Sequence, residues 1–207
     1  MIIGIVGSIG SGKDTIADYL SNFHDYRRES FASSLKDTLS VIFGWDRNLL
    51  EGRTKESREW REQVDNWWST RLNIPHLTPR WVMQNFATEI CRNNFHEDIW
   101  VASLEYKLSN TSDNIIITDC RFLNEYNTIK KLGGQIIRVK RGPEPEWYPH
   151  VKSALSGDSI SKSLLLRNYG VHESEWAWYG FDSDIIIEND DSIEELYKKV
   201  YLFINSF

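Results

Sequence analysis

The sequence predicts an α/β protein built on a parallel sheet, and three observations carry that prediction. Apolar runs at Ile2 to Val6, Ile115 to Thr118 and Ile185 to Glu188 alternate along the chain with segments whose apolar residues recur at helical spacing. The run Ile115-Ile116-Ile117 is uninterrupted and β-branched, as a strand buried on both faces requires. The first run leads into a glycine-rich turn, Gly7 to Gly12, with a lysine and a helical pattern directly behind it. Strands joined through helices by right-handed crossovers form a parallel sheet covered on both faces.

The opening stretch MIIGIVGSIGSGKDT is the strongest local signal. Gly7, Gly10 and Gly12 carry no side chain, so successive backbone N–H groups can turn inward around an anion. A helix N-terminus behind them adds partial positive charge, and Lys13 adds a full one. The spacing Gly7-x4-Gly12-Lys13 fits the Walker A pattern G-x-x-x-x-G-K-[ST] up to its last position. Asp14 stands there, and Thr15 follows one residue later.

The first helix is expected from Lys13 to about Asn22, with Ile16, Leu20 and Phe23 facing the sheet. A second strand is weakly marked at Arg28 to Phe31. Leu35, Leu39, Ile42 and Phe43 form one face of the next helix, which Gly44 ends. Residues 45–78 are highly charged and carry Trp45, Trp60, Trp67 and Trp68, the pattern of an insertion. Their indoles suit a local apolar cluster better than stacking on a substrate. Thr78-Pro79 opens a helix running to Asn93, with an apolar face at Val82, Phe86 and Ile90. Arg80, Gln84, Thr88 and Arg92 recur every four residues and form a polar stripe, either solvated or lining a pocket. A further helix covers Glu97 to Leu108.

The strand from Ile115 ends in Asp119, where a Walker B carboxylate would sit, with Arg121 projecting from the same edge. A helix ending at Gly133-Gly134 and a strand from Gln135 to Lys140 follow. Residues 141–182 are rich in Pro, Gly, Ser and aromatics and have the composition of a lid, with Lys152, Lys162 and Arg167 as its cations. His172 to Glu175 matches no zinc spacing. The final strand, Ile185 to Glu188, is followed by the capping box Ser192-x-x-Glu195 and a closing amphipathic helix.

Composition narrows the function. With 207 residues, 41% of them hydrophobic, the chain can bury one substantial core. A net charge of −6 argues against a nucleic-acid polymer as partner but leaves room for a small anion in a local basic pocket. Cys91 and Cys120 are far apart and suggest neither a disulfide framework nor a metal site. No signal peptide and no membrane-length apolar run is evident, so a cytoplasmic protein is expected.

Several blocks together resemble bacteriophage-type deoxynucleoside monophosphate kinases, members of the P-loop NMP kinase family. They are GSIGSGKDT at 7–15, FASSLKDTL at 31–39, RWVMQNFATE at 80–89, NNFHEDIWV at 93–101, ITDCRFLNE at 117–125, LGGQIIRVKR at 132–141, HESE at 172–175 and IIIENDDSIEELYKKV at 185–200. The GKDT variant is a feature of that family. Ser34 and Ala87 depart from its usual proline and glycine.

The resemblance implies a three-layer α/β/α P-loop kinase fold with five parallel strands. It also implies an NMP-binding insertion at about 45–78 and a lid at about 141–182. The activity implied is transfer of the γ-phosphate of ATP to a dNMP, with Mg2+, in the host cytoplasm if the protein is phage-encoded. Lys13, Asp119 and Arg121 take the catalytic roles. Gly10, Ser11, Gly12, Lys13, Asp14, Thr15, Arg141 and Asn189 hold the donor nucleotide. Lys36, Arg80, Gln84, Thr88, Arg121 and Glu125 hold the acceptor, and Asp14 and Asp119 serve the magnesium ion. A homodimer is left open. The alternatives are a related small-molecule kinase, such as dephospho-coenzyme A kinase, and a non-catalytic nucleotide-binding switch.

Overall fold

The structure is a computed structural model describing residues 1–206. The chain divides into two compact units. The first comprises Met1–Ser30 and Ser109–Phe207, and the second Phe31–Leu108.

The first unit is built on a five-stranded parallel sheet. Its strands are β1 (Ile2–Val6), β2 (Tyr26–Glu29), β3 (Asn114–Ile117), β4 (Gln135–Lys140) and β5 (Ile185–Glu188), in the order β2-β3-β1-β4-β5. β1 is central, in register with β3 through Gly4↔Ile117 and with β4 through Val6↔Arg138. On one face, Ile16, Ala17 and Leu20 of α1 (Lys13–Phe23) share a core with Ile3, Ile5, Ile116, Ile137, Val139 and Ile187. Leu196, Val200 and Phe203 of the closing helix, Ile193–Ile204, complete that core. On the other face the helix Leu123–Lys131 approaches so closely that a Cβ on Gly4 would lie 2.7 Å from Ile129 Cδ1. This is the expected three-layer arrangement.

The second strand lies at Tyr26–Glu29, two residues earlier than the composition suggested, and it buries Tyr26 and Glu29 at its two ends. The strand expected to reach Asp119 stops at Ile117, where both neighbouring strands lose register. Asp119 therefore lies in the loop beyond the sheet edge. Residues 141–182 are more regular than their composition suggests. Two helices there, Tyr148–Leu155 and Ser159–Tyr169, pack Val151, Ala154, Leu165 and Trp176 into a small core.

The second unit is helical. It contains α2 (Ser33–Phe43), α3 (Arg47–Glu51), α4 (Lys55–Glu62), α5 (Asn66–Leu72), α6 (Pro79–Asn85) and nearly all of α7 (Ile99–Ser109). Asp46, Thr54, Asp65 and Thr78 each cap the helix that follows them, accepting a backbone N–H with the side chain. Tryptophan supplies much of the core. Trp45 and Trp100 are buried with Leu35, Leu39, Leu50, Leu77 and Val82, and Trp60 and Trp68 pack against them. Trp45 Nε1 donates to Asp65 at 2.8 Å and Trp68 Nε1 to the Phe43 carbonyl at 3.1 Å, so both polar edges are satisfied.

The helix expected from Thr78 to Asn93 changes character halfway. After α6 the residues Phe86–Arg92 form a π-helix, and Asn93 N donates to Thr88 O five residues back at 2.8 Å. The wider turn breaks four-residue alignment, so Thr88 and Arg92 no longer continue the row begun by Arg80 and Gln84. Ile90, expected inside, is half exposed for the same reason. Among the described residues no helix is long and apolar enough to cross a membrane.

Candidate functional site

The loop between β1 and α1 is shaped by its glycines and held by strands far away in sequence. Gly7, Gly10 and Gly12 all have positive φ, at 151°, 77° and 108°. A side chain at Gly7 would run into the Val139 carbonyl, and one at Gly12 into the amide of Asn189. Asn189 Nδ2 donates to Ser11 O at 2.8 Å, which ties the loop to the end of β5. Ser11 is buried, and its hydroxyl has no hydrogen-bond partner.

α1 begins at Gly12 without a side-chain cap, unlike the capped helices of the second unit. The first N–H groups of a helix have no acceptor within it, an arrangement that suits an anion. Lys13 folds back over the loop, and Nζ donates to Gly7 O at 2.6 Å and Ser8 O at 2.7 Å. Burial, and then the charge of Arg121, bring its ammonium pKa down from 10.5 to about 8, while Asp14 and Glu175 pull the other way.

Asp14 projects from the first turn of α1 and is largely exposed. Arg28 of β2 is bonded to it, donates to Asp18 Oδ1 at 2.7 Å and reaches Thr118 Oγ1 at 3.3 Å. One guanidinium thus links α1 to the loop after β3, next to Asp119. Further along that loop, Arg121 Nη1 donates to Glu175 Oε1 at 2.5 Å and to Ser174 Oγ at 3.2 Å. Glu125 is buried, and its Oε2 accepts from the backbone N–H groups of Arg121 at 2.7 Å and Phe122 at 3.1 Å. Cys120, between Asp119 and Arg121, is buried. Burial, then Glu125 and Asp119, push its thiol well above the usual range, so it is inert.

Beyond β4, Ser8, Arg138, Arg141, Glu144, Trp178 and Tyr179 line one crevice. Arg138 lies over the Tyr179 ring, 4.8 Å from its centre, and its Nη2 donates to Glu144 at 3.0 Å. Tyr179 in turn donates to Glu144 at 2.7 Å. Burial is the main cause that pushes the Tyr179 hydroxyl up to about 12, against a hydrogen bond to the Ser8 side chain. Gly10, Ser11, Gly12, Lys13, Asp14, Thr15, Asp119, Arg121, Glu125, Arg141 and Asn189 therefore all belong to the first unit, on or beside the carboxyl ends of its strands.

Lys36, Arg80, Gln84 and Thr88 belong to the second unit. Lys36 Nζ donates to Glu51 Oε2 at 2.8 Å, and Arg47 holds the other oxygen of the same carboxylate. Burial pushes the Glu51 carboxyl up, but Lys36 and then Arg47 outweigh it and hold it at about 2. Arg80 Nε stands 3.2 Å from Glu62 Oε1, and Gln84 and Thr88 are exposed.

Sequence reasoning missed Arg28, Glu175 and Tyr179. A charged residue inside a short strand of a parallel sheet was a usable sign for Arg28. Glu175 and Tyr179 meet partners roughly 54 and 35 positions away, which no local spacing encodes.

A family model described as deoxynucleotide monophosphate kinase matches residues 54–154. A protein of Acanthamoeba polyphaga mimivirus described as "Putative deoxynucleotide monophosphate kinase" is 27% identical, over 97% of this chain and 94% of its own length. The deoxynucleoside-5'-monophosphate kinase of Escherichia phage T5 is 26% identical over 98% of this chain and 95% of its own. The deoxynucleotide monophosphate kinase of Enterobacteria phage T4 is 26% identical over 96% of both chains.

Proposed function

We infer that this relative of the phage and mimivirus deoxynucleotide monophosphate kinases is itself a kinase of that type, transferring the γ-phosphate of ATP to a deoxynucleoside monophosphate. The observation that carries the reading is end-to-end relatedness: three proteins so described align with 96% or more of the chain. The uncapped start of α1 supports it, since a phosphate-cradling loop is what such a reaction needs at its donor side.

Phosphoryl transfer asks the protein for positioning and charge neutralisation more than for covalent chemistry. Gly10, Ser11, Gly12, Asp14 and Thr15 offer backbone N–H groups to the donor phosphates. Lys13 leaves the Gly7 and Ser8 carbonyls to bridge the β- and γ-phosphates. The buried hydroxyl of Ser11 lacks a partner, which fits a loop completed by its ligand. Arg121 leaves Glu175 to meet the transferred group. Glu125, capping the Arg121 backbone, fixes where that guanidinium starts from. Arg141 borders the donor. Asn189 keeps the loop in shape through Ser11 O.

Magnesium fits the residues present. Among the described residues no three His, Cys, Asp or Glu side chains come together, so the protein offers Asp14 and Asp119 at most. A magnesium ion in a kinase takes one or two carboxylates and fills its shell with phosphate oxygens and water. When bound it neutralises charge between the β- and γ-phosphates. Asp14 must then release Arg28, which keeps Asp18 and Thr118 as partners.

Lys36, Arg80, Gln84 and Thr88 serve the acceptor. Segments 45–78 and 141–182 are the monophosphate-side insertion and the lid. Substrates of this kind are small soluble nucleotides, which is the reason to expect the enzyme in the cytoplasm. A coupled assay of ADP release across dNMPs, NMPs and dephospho-coenzyme A tests the reading. Turnover with at least one dNMP above the rate of ATP hydrolysis alone is expected, and hydrolysis that no acceptor accelerates would refute it.

A further inference from the structure

The second unit holds an arginine that forms no ion pair among the described residues. Arg61 lies in the last turn of α4, half buried, with its guanidinium directly against Gly52. Its Nε is shielded from solvent and has no hydrogen-bond partner. Among the described residues no carboxylate forms an ion pair with it, although Lys36, Arg47 and Arg80 nearby are all paired. Lys36 and Arg47 share Glu51, and Arg80 is on Glu62. Arg58 caps the Arg53 carbonyl at 3.0 Å and reaches Gly52 O at 3.4 Å, beside the same guanidinium. Burial, and then the charge of Arg80, push the Arg61 guanidinium below its usual range, with Arg58 adding to them and Glu62 and Glu51 opposing.

A guanidinium has five donors and cannot shed its charge. Leaving one half buried, unpaired and next to two other arginines is unfavourable in the free protein. Such an arrangement persists where a ligand supplies the missing negative charge. The complement is an anion with near-double charge and several acceptor oxygens, which is a phosphate monoester.

We propose that Arg61, flanked by Arg58 and Arg80, binds the phosphate of the monophosphate acceptor. The proposal rests on the kinase reading and deepens it. It gives the charged segment RTKESREWRE a role, since the capping of α4 by Thr54 fixes the helix that presents Arg58 and Arg61 one turn apart. Gly52, the left-handed C-cap of α3 at φ 69°, lets the guanidinium lie directly against the backbone.

The test uses the full-length protein and the variants R61Q, R61K and K55Q. Lys55 is exposed and meets only Glu59 at 3.7 Å, so K55Q is the control for lost surface charge. A charge-assisted bond to phosphate predicts that R61Q raises KM for the dNMP at least about tenfold while KM for ATP stays within about twofold. R61K keeps the charge and loses the planar fork, so it falls between. Inorganic phosphate competes with the dNMP in the wild type, and its inhibition constant rises in R61Q by the same factor. The thermal midpoint of R61Q stays equal or rises, because a repelled cation has gone. A purely structural Arg61 predicts the opposite, a lower midpoint with both substrates affected alike, and that result overturns the proposal. So does a KM for the dNMP within about twofold of wild type. If R61Q does not fold, R61K decides by the same criteria. If the wild type phosphorylates no dNMP, the kinase reading fails separately. Equilibrium binding of inorganic pyrophosphate to wild type and R61Q then decides the anion site, with weaker binding in R61Q supporting it and equal binding overturning it.

Discussion

Titrating nucleotide affinity against pH isolates the role of Lys13. Its ammonium, brought to about 8 by burial and by Arg121, ionises inside the range where the protein can be studied. If the donor phosphates are held by the protonated form, affinity follows the protonated fraction. That fraction falls from about nine-tenths at pH 7 to about one-tenth at pH 9, so the dissociation constant for ATP rises about tenfold over the window. A lysine at its ordinary 10.5 would leave it nearly flat. The sign follows from linkage: bound phosphates raise the lysine's pKa, binding takes up a proton, and affinity is lost as pH climbs through the value of the free protein. The terminal phosphate ionises near about pH 6, below the window. Titration calorimetry at pH 8 in buffers of differing ionisation enthalpy should record uptake of about half a proton per ATP bound. In K13M the uptake should vanish and the pH profile flatten. An unchanged affinity from pH 7 to 9 in the wild type, with no proton uptake, would refute the assignment.

Gly7→Ala should destabilise the fold by about 2 kcal/mol or more, because the blocking atom is a backbone carbonyl of β4. Gly10→Ala, which faces open space and pays only for its left-handed φ, should lose about 1 kcal/mol. Urea unfolding of the two variants measures the difference, and equal losses would contradict the packing argument. Asp14→Asn should raise the magnesium concentration for half-maximal rate by about tenfold while leaving nucleotide binding without metal within about threefold; metal titration of the steady-state rate checks it. Glu175→Gln removes the partner that Arg121 must leave, and should tighten nucleotide binding by about twofold to fivefold, the scale of a partly exposed ion pair, as read by equilibrium titration.

Most of the sheet was legible because β1, β3, β4 and β5 are rich in β-branched residues and the loop in glycines, whereas β2, Tyr-Arg-Arg-Glu, has no β-branched residue and was only weakly marked. The end of β3 was readable only to within two residues, since β3 stops where β2 runs out at Glu29, which no local spacing encodes. The segment 45–78 resisted reading for a different reason. Its helices span one or two turns, too few for a periodic apolar face, although the caps Asp46, Thr54 and Asp65 are visible in retrospect. The π-helix was invisible, because apolar spacing at Val82, Phe86 and Ile90 satisfies an ordinary helix equally well. The residues around the glycine loop could be placed together because the loop and the strand ends fix their positions. Arg61 could not, because its significance is the absence of a partner, and absence has no spacing.

The lock between Asn189 and Ser11 joins residues 178 positions apart, and Val139 crowds Gly7 from the far side of the chain. The glycine loop takes its shape only from segments that lie far from it along the chain. Until β4 and the residue that follows β5 are docked, the walls against Gly7 and Gly12 do not exist. The loop's shape is therefore a product of long-range packing, and it should be set late in folding, once the sheet has closed around it.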